Sequence, residues 1–145
     1  VMKNILATIE FYDNEKLVME KAFEIAKAFT AKIWLLHVVS PEPEFVGFGV
    51  GPQYVRDARA TELKKEHRMM NEYANELKTK GVQAEGLLIR GSTIEMIMQE
   101  AEKLNIDLIV TGHHDHNFVY KAFYGSVATG VINKTKIPLL LVPLK

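Results

Sequence analysis

The chain has 145 residues, 48% of them apolar and 25% charged, with 18 Lys plus Arg against 18 Asp plus Glu and no cysteine. A domain of that size buries a sizeable core, and the zero net charge gives no support to binding nucleic acid or anionic membranes through bulk charge. Without thiols there are no disulfides, thiolate metal sites or cysteine nucleophiles, and apolar runs such as Ile33–Leu36 and Ile137–Leu144 are too short to span a bilayer.

Lys3–Ile9, "KNILATI", is short and apolar and reads as a first strand. Glu15–Phe29 follows, with Val18, Ala22, Ile25, Ala26 and Phe29 at helical spacing to make one buried stripe. Lys32–Val39, "KIWLLHVV", is a near-continuous apolar run, the pattern of a strand covered on both faces in a parallel sheet. Ser40–Gln53 breaks the pattern with prolines and glycines and reads as a mobile loop. Arg56–Lys80 predicts a second helix with Leu63, Met70, Tyr73, Ala74 and Leu77 on one side and solvated charges on the rest.

Gln83–Arg90 ends in "GLLIR" and reads as a third strand. Ser92–Glu95, "STIE", has capping-box spacing and opens a helix carrying Ile94, Ile97, Met98, Ala101 and Leu104. Asp107–Gly112 is a fourth strand, Ser126–Thr135 a short fourth helix and Ile137–Pro143 a last strand. Strands alternating with helix-sized crossovers predict one α/β domain over residues 1–145, an open twisted five-stranded parallel sheet with helices on both faces. No signal-peptide pattern precedes the first apolar segment, so a cytoplasmic protein is expected.

In such sheets ligands sit beyond the carboxyl ends of the strands, where connections diverge to opposite faces. The candidate segments are Thr8–Asp13, Val38–Pro41, Arg90–Thr93 and the loop from Thr111 to Ser126. That loop, "TGHHDHNFVYKAFYGS", runs into a helix N-terminus, where free N–H groups and the helix dipole favour an anion. Gly125 removes a side chain there and Ser126 adds a hydroxyl; a phosphate cradle and a simple cap with a tight turn are both open readings. Neither standard phosphate fingerprint is present. His113, His114, Asp115 and His116 are metal-capable types, but their adjacency spaces no ligand set along one face, and no metal is expected. His37, inside an apolar strand, reads as a satisfied core residue, and His67 as solvated. No serine has an evident base and orienting acid, and no carboxylate pair stands out, so a binding module is expected rather than an enzyme; a slow ATPase lacks an identifiable base.

The segments "ILATIE", "LLHVV", "DLIVTGHH" and "GSVATGVINKTKIPLLLVP" resemble the universal stress proteins of the UspA type over essentially the whole chain. The resemblance implies a Rossmann-like fold of the adenine nucleotide alpha hydrolase kind, with strand order 3-2-1-4-5. Nucleotide-binding members carry G-x-x-G, nine residues, then G-[ST]; Gly112, Gly125 and Ser126 match, and Asp115 replaces the second glycine. Glu10 stands where such members usually carry an aspartate near the ribose.

The resemblance therefore implies a stress-response module that binds ATP or AMP, with Mg accompanying ATP. Glu10 would lie at the ribose and Val38 at the base, with Thr8 and Ile9 among the cofactor-binding residues. Gly112, His114, Asp115, Gly125, Ser126 and Val127 would lie at the phosphates. The alternative is a member that acts only through homodimerisation and protein partners. Asp115 adds a negative charge; about 5 Å from a phosphate at an effective dielectric near 20, a carboxylate opposes it by about 3 kcal/mol before screening. Weak ATP binding, or a preference for AMP or adenosine, is the expectation. The strand 137–143 falls on the sheet edge in that order and is expected to pair with a second copy.

Overall fold

The computed structural model describes residues 1–11, 15–39, 53–113 and 126–144, with Ser126 described by its backbone alone. Nine elements alternate: β1 (Asn4–Thr8), α1 (Glu15–Phe29), β2 (Lys32–Val39), α2 (Gln53–Thr79), β3 (Ala84–Arg90), α3 (Thr93–Lys103), β4 (Leu108–His113), α4 (Ser126–Lys134) and β5 (Leu139–Pro143). The strands form one parallel sheet in the order β3-β2-β1-β4-β5. The apolar runs become strands because each is covered on both faces, so alternate residues need not be polar. In β1, Ile5 and Ala7 pack with Val18, Ala22 and Ala26 of α1 and Met70, Ala74 and Leu77 of α2. Leu6 between them packs on the other side with Ile97 and Ala101 of α3 and Val131 of α4.

That division places the site. The chain leaves β1 for α1 on one face and leaves β4 for α4 on the other, and β1 and β4 are neighbours in the sheet. Their carboxyl ends therefore lie where successive helices go to opposite faces, the place where open parallel sheets take ligands. At the opposite end of the same pair, the Asp107 carboxylate accepts the N–H groups of Lys3 and Asn4 at 2.8 and 3.0 Å. Those two bonds hold its pKa below the usual carboxylate value.

Several boundaries differ from the sequence reading. α2 begins at Gln53, within the segment read as loop, and residues 40–52 lie outside those described. Its opening is held by side chains: Gln53 donates to Asp57 at 2.7 Å and accepts from Arg56 at 2.7 Å. The expected stripe of α1 holds at Val18, Ala22 and Ala26, with Ile25 partly buried against the same core; Met19 is buried as well, and Phe29, the last residue of the helix, is 55% exposed. Ser92 occupies the cap position of α3 with extended backbone but makes no side-chain cap hydrogen bond; the first turn closes instead through Met96 N–H to Ser92 C=O at 2.9 Å. β5 starts at Leu139 rather than Ile137. Both backbone groups of Ile137 are engaged by the Thr135 hydroxyl at 2.9 Å, and Pro138 has no N–H to offer the ladder.

Candidate functional site

The crevice is built from the ends of β1, β2 and β4 and the start of α4. Pleating sends alternate side chains to opposite faces. A Cβ on Gly112 would strike Leu144 and Val18, so position 112 faces α1. Thr111 and His113 on either side of it face the α3 and α4 layer, as does Thr8, two residues after Leu6. There the Thr8 and Thr111 hydroxyls meet at 2.7 Å across β1 and β4, both residues fully or nearly buried. Val38 and Val127 pack on this same layer and supply an apolar wall.

His113 is partly exposed, but its Nδ1 is buried and meets no hydrogen-bond partner among the described residues. Its backbone is fixed: His113 pairs with Pro143 and its carbonyl accepts the Leu144 N–H at 2.9 Å. A buried polar atom without a partner forfeits a hydrogen bond it had in water, a loss of about 1–3 kcal/mol. Such an atom in a crevice is a place for a water or a ligand.

Glu10 follows β1, between Ile9 and Phe11, both of which pack toward α1 and α2. Burial pushes its carboxyl up to about 7, from an ordinary value of 4.5. Desolvation acts alone here: among the described residues no hydrogen bond or ion pair compensates the ionised form. The stretch carrying it is clamped from the other face. His37 Nδ1 lies 2.6 Å from the Ile9 carbonyl and Nε2 lies 3.6 Å from Glu66 on α2. The His37 ring meets Phe11 edge-on at 4.7 Å, and Phe11 stacks on Tyr73 at 6.3 Å. Tyr73 in turn donates to Glu15 at 3.3 Å; burial first, then the Glu15 carboxylate, push its hydroxyl up to about 12. His37 is thus the satisfied interior residue expected, with a positioning task besides, and His67 is exposed.

Of the residues picked out from sequence, the fold brings Thr8, Ile9, Glu10, Val38, Gly112 and Val127 to the same end of the sheet. Ser126 begins α4 there. His114, Asp115, Gly125 and the Ser126 side chain lie outside the described residues. Gly112 has a packing reason to be glycine, since Leu144 and Val18 occupy its side-chain space. Thr111 and the buried Nδ1 of His113 lie at the same end of the sheet, and the sequence reading weighs His113 for a metal alone. The signal was there in the period of two, which sets 111 and 113 on one face after the apolar run Leu108–Val110. Among the described residues no group of three or more His, Asp or Glu could hold a metal ion. No described helix is long and apolar enough to cross a membrane.

Comparison with known proteins agrees with this architecture. The sequence model of the universal stress protein family matches residues 2–143. Universal stress protein A homolog 1 of Coxiella burnetii (strain RSA 493 / Nine Mile phase I) is 28% identical over 143 residues, covering 99% of this chain and 97% of that one. A universal stress protein solved in complex with cAMP superposes with a TM-score of 0.72 at 17% identity, covering 98% of this chain and 97% of that one. The universal stress protein from Archaeoglobus fulgidus in complex with dAMP gives 0.67 at 17% identity and covers 98% of each chain.

Proposed function

The chain belongs to the universal stress protein family, and from that premise we propose that it is a stress-response module binding an adenine nucleotide, ATP or AMP, at the carboxyl ends of its strands. The observation that carries the reading is the meeting of buried polar groups at the carboxyl ends of the neighbouring strands β1 and β4, on the α3 and α4 side, with α4 starting at that end of the sheet. Two relatives of the same fold are bound to cAMP and to dAMP, which supports an adenine nucleotide as the ligand class. Glu10 serves the sugar, Val38 the base, and Gly112, Ser126 and Val127 the phosphates, with Mg accompanying ATP. The residues of this site that the structure describes fit such a ligand: an apolar wall for a base beside hydrogen-bonding groups that lack partners.

We assign the module no catalytic step and place it in the cytoplasm as a homodimer paired through β5. The edge position of β5 supports that pairing, because among the described residues no strand pairs with its outer side. Nucleotide co-purifying with the protein, detected by ultraviolet absorbance and mass spectrometry after denaturation, is the expected result. Absence of nucleotide, joined to no thermal shift on adding ATP or AMP, would favour action through protein partners alone.

A further inference from the structure

Phe11, at the exit of β1, has a backbone φ of 62°, in the left-handed region that a bulky residue seldom occupies. Such a conformation persists only where its surroundings hold it. Side chains from β2, α2 and α1 do so here. The His37 ring of β2 lies edge-on to Phe11 at 4.7 Å, and Tyr73 of α2 stacks on Phe11 at 6.3 Å with its hydroxyl donating to Glu15 of α1. The same His37 ring holds the backbone two residues earlier, where Nδ1 lies 2.6 Å from the Ile9 carbonyl.

A carbonyl only accepts, so Nδ1 carries a proton in either charge state of the ring. Nε2 is then the nitrogen that titrates, and it faces Glu66 of α2 at 3.6 Å, the two side chains being 13% and 17% exposed. Protonated, Nε2 completes an ion pair that ties α2 to the exit of β1. Neutral, it turns a lone pair toward a carboxylate where little water screens the repulsion. On the remaining side, β3 sets Leu88 opposite His37 in register, with the exposed Arg90 two residues on. Among the described residues, Glu66 is the charged side chain within ion-pair distance of the ring.

We infer that residues 9–11 form a pH-gated strap: the His37–Glu66 pair locks the strained exit of β1 to α2 in acid, and the strap loosens as Nε2 loses its proton. Histidine changes charge between about pH 5 and 8. A pair made only by the protonated form contributes stability at low pH and loses it as pH rises. Glu10, inside the strap, acts in the same direction. Its carboxyl, pushed up by burial to about 7, enters that range neutral and leaves it as an uncompensated charge. The strap therefore carries two costs at pH 8 that are small at pH 5, whether or not the module binds a nucleotide.

Amide exchange followed by NMR at pH 5 and pH 8, corrected for the intrinsic effect of pH, tests the strap in the natural protein and in Glu66→Gln, whose amide can donate to a neutral Nε2. The α3 amides of Ile97 and Ala101, on the opposite face of the sheet, serve as the reference. Protection of the Ile9 amide, which donates to the Leu36 carbonyl at 2.8 Å, should fall between the two pH values at least fivefold more than the reference. In Glu66→Gln that excess should shrink by half or more on a logarithmic scale, and adding Glu10→Gln should bring it within twofold of none. An equal fall at both places would mean that only global stability responds, and an excess unchanged in folded Glu66→Gln would mean that His37 is no clamp; either result overturns the inference. Should Glu66→Gln not fold, nitrogen-15 spectra of the natural protein decide: Nδ1 of His37 must stay protonated while Nε2 loses its proton over the range in which protection falls. A His37 ring that keeps one form from pH 5 to pH 8 contradicts the assignment.

Discussion

Glu10 is the residue whose chemistry departs furthest from its type. Its folded pKa of about 7 lies above the ordinary 4.5, and burial is the cause. Below pH 4.5 both folded and unfolded chains hold the proton, and the site has no effect on stability. Between 4.5 and 7 the unfolded chain ionises first, so rising pH favours unfolding; above 7 the penalty is complete, at about 3 kcal/mol. Glu10→Gln removes the ionisation and keeps the shape. Urea unfolding should therefore show the variant more stable than the natural protein at pH 8, by up to about 3 kcal/mol, and equal to it at pH 4. An equal gain at both values would mean that the carboxyl is not desolvated. Asp115 calls for a second substitution, argued from the sequence pattern, where it replaces a glycine. After ionic screening a nearby carboxylate still opposes a phosphate by about 1 kcal/mol, about fivefold in affinity. Asp115→Gly should tighten ATP binding by at least that factor in calorimetry, and a change within twofold would clear Asp115 as the obstacle.

The edge strand and its neighbours set the expectations for whole elements. Two hydrogen bonds, Ile109 N–H to Pro138 C=O and Leu144 N–H to His113 C=O, both 2.9 Å, fix the phase of β5 against β4. Residues 138, 140, 142 and 144 thus address β4, while Leu139, Leu141 and Pro143 turn their backbone groups outward. Pro143 has no N–H, so pairing with a second copy depends on Leu139 and Leu141. Leu141→Pro removes an outward donor and spares the inner ladder. Light scattering at micromolar concentration should find the natural protein dimeric and Leu141→Pro monomeric and folded; a monomeric natural protein would rule out the pairing. On the other edge, β3 carries Gly86 directly under α2, where a Cβ would come within 3.0 Å of the Met70 carbonyl oxygen and 3.2 Å of its carbon. The close approach lets Met70, Ala74 and Leu77 bury themselves on the sheet. Gly86→Val must push that backbone away, and thermal or urea melting should show a loss of about 1–3 kcal/mol. No loss would mean that α2 can shift without strain.

Across the whole molecule, the fold was legible because its strands announce themselves. Ile33–Leu36 and Leu139–Val142 are apolar without alternation, which only a doubly covered sheet accommodates. The resemblance then supplied the order 3-2-1-4-5, which the sheet has. Boundaries were less legible, since Gln53 and Thr135 act through side-chain hydrogen bonds that no periodicity reveals. Of the candidate site, Glu10 and Gly112 were singled out by the family resemblance. The desolvation of Glu10 and the burial of His113 Nδ1 without a partner arise only when distant segments meet, as do the 2.7 Å Thr8–Thr111 contact and the Leu144 side chain over Gly112. The central claim, an adenine nucleotide held between β1 and β4, is tested most directly by calorimetric titration of AMP into nucleotide-free natural protein. The account predicts saturable binding near one AMP per chain, lost when excess ATP or adenosine already fills the crevice. No measurable heat with AMP, ATP or adenosine up to millimolar concentration, with the protein folded, would contradict it.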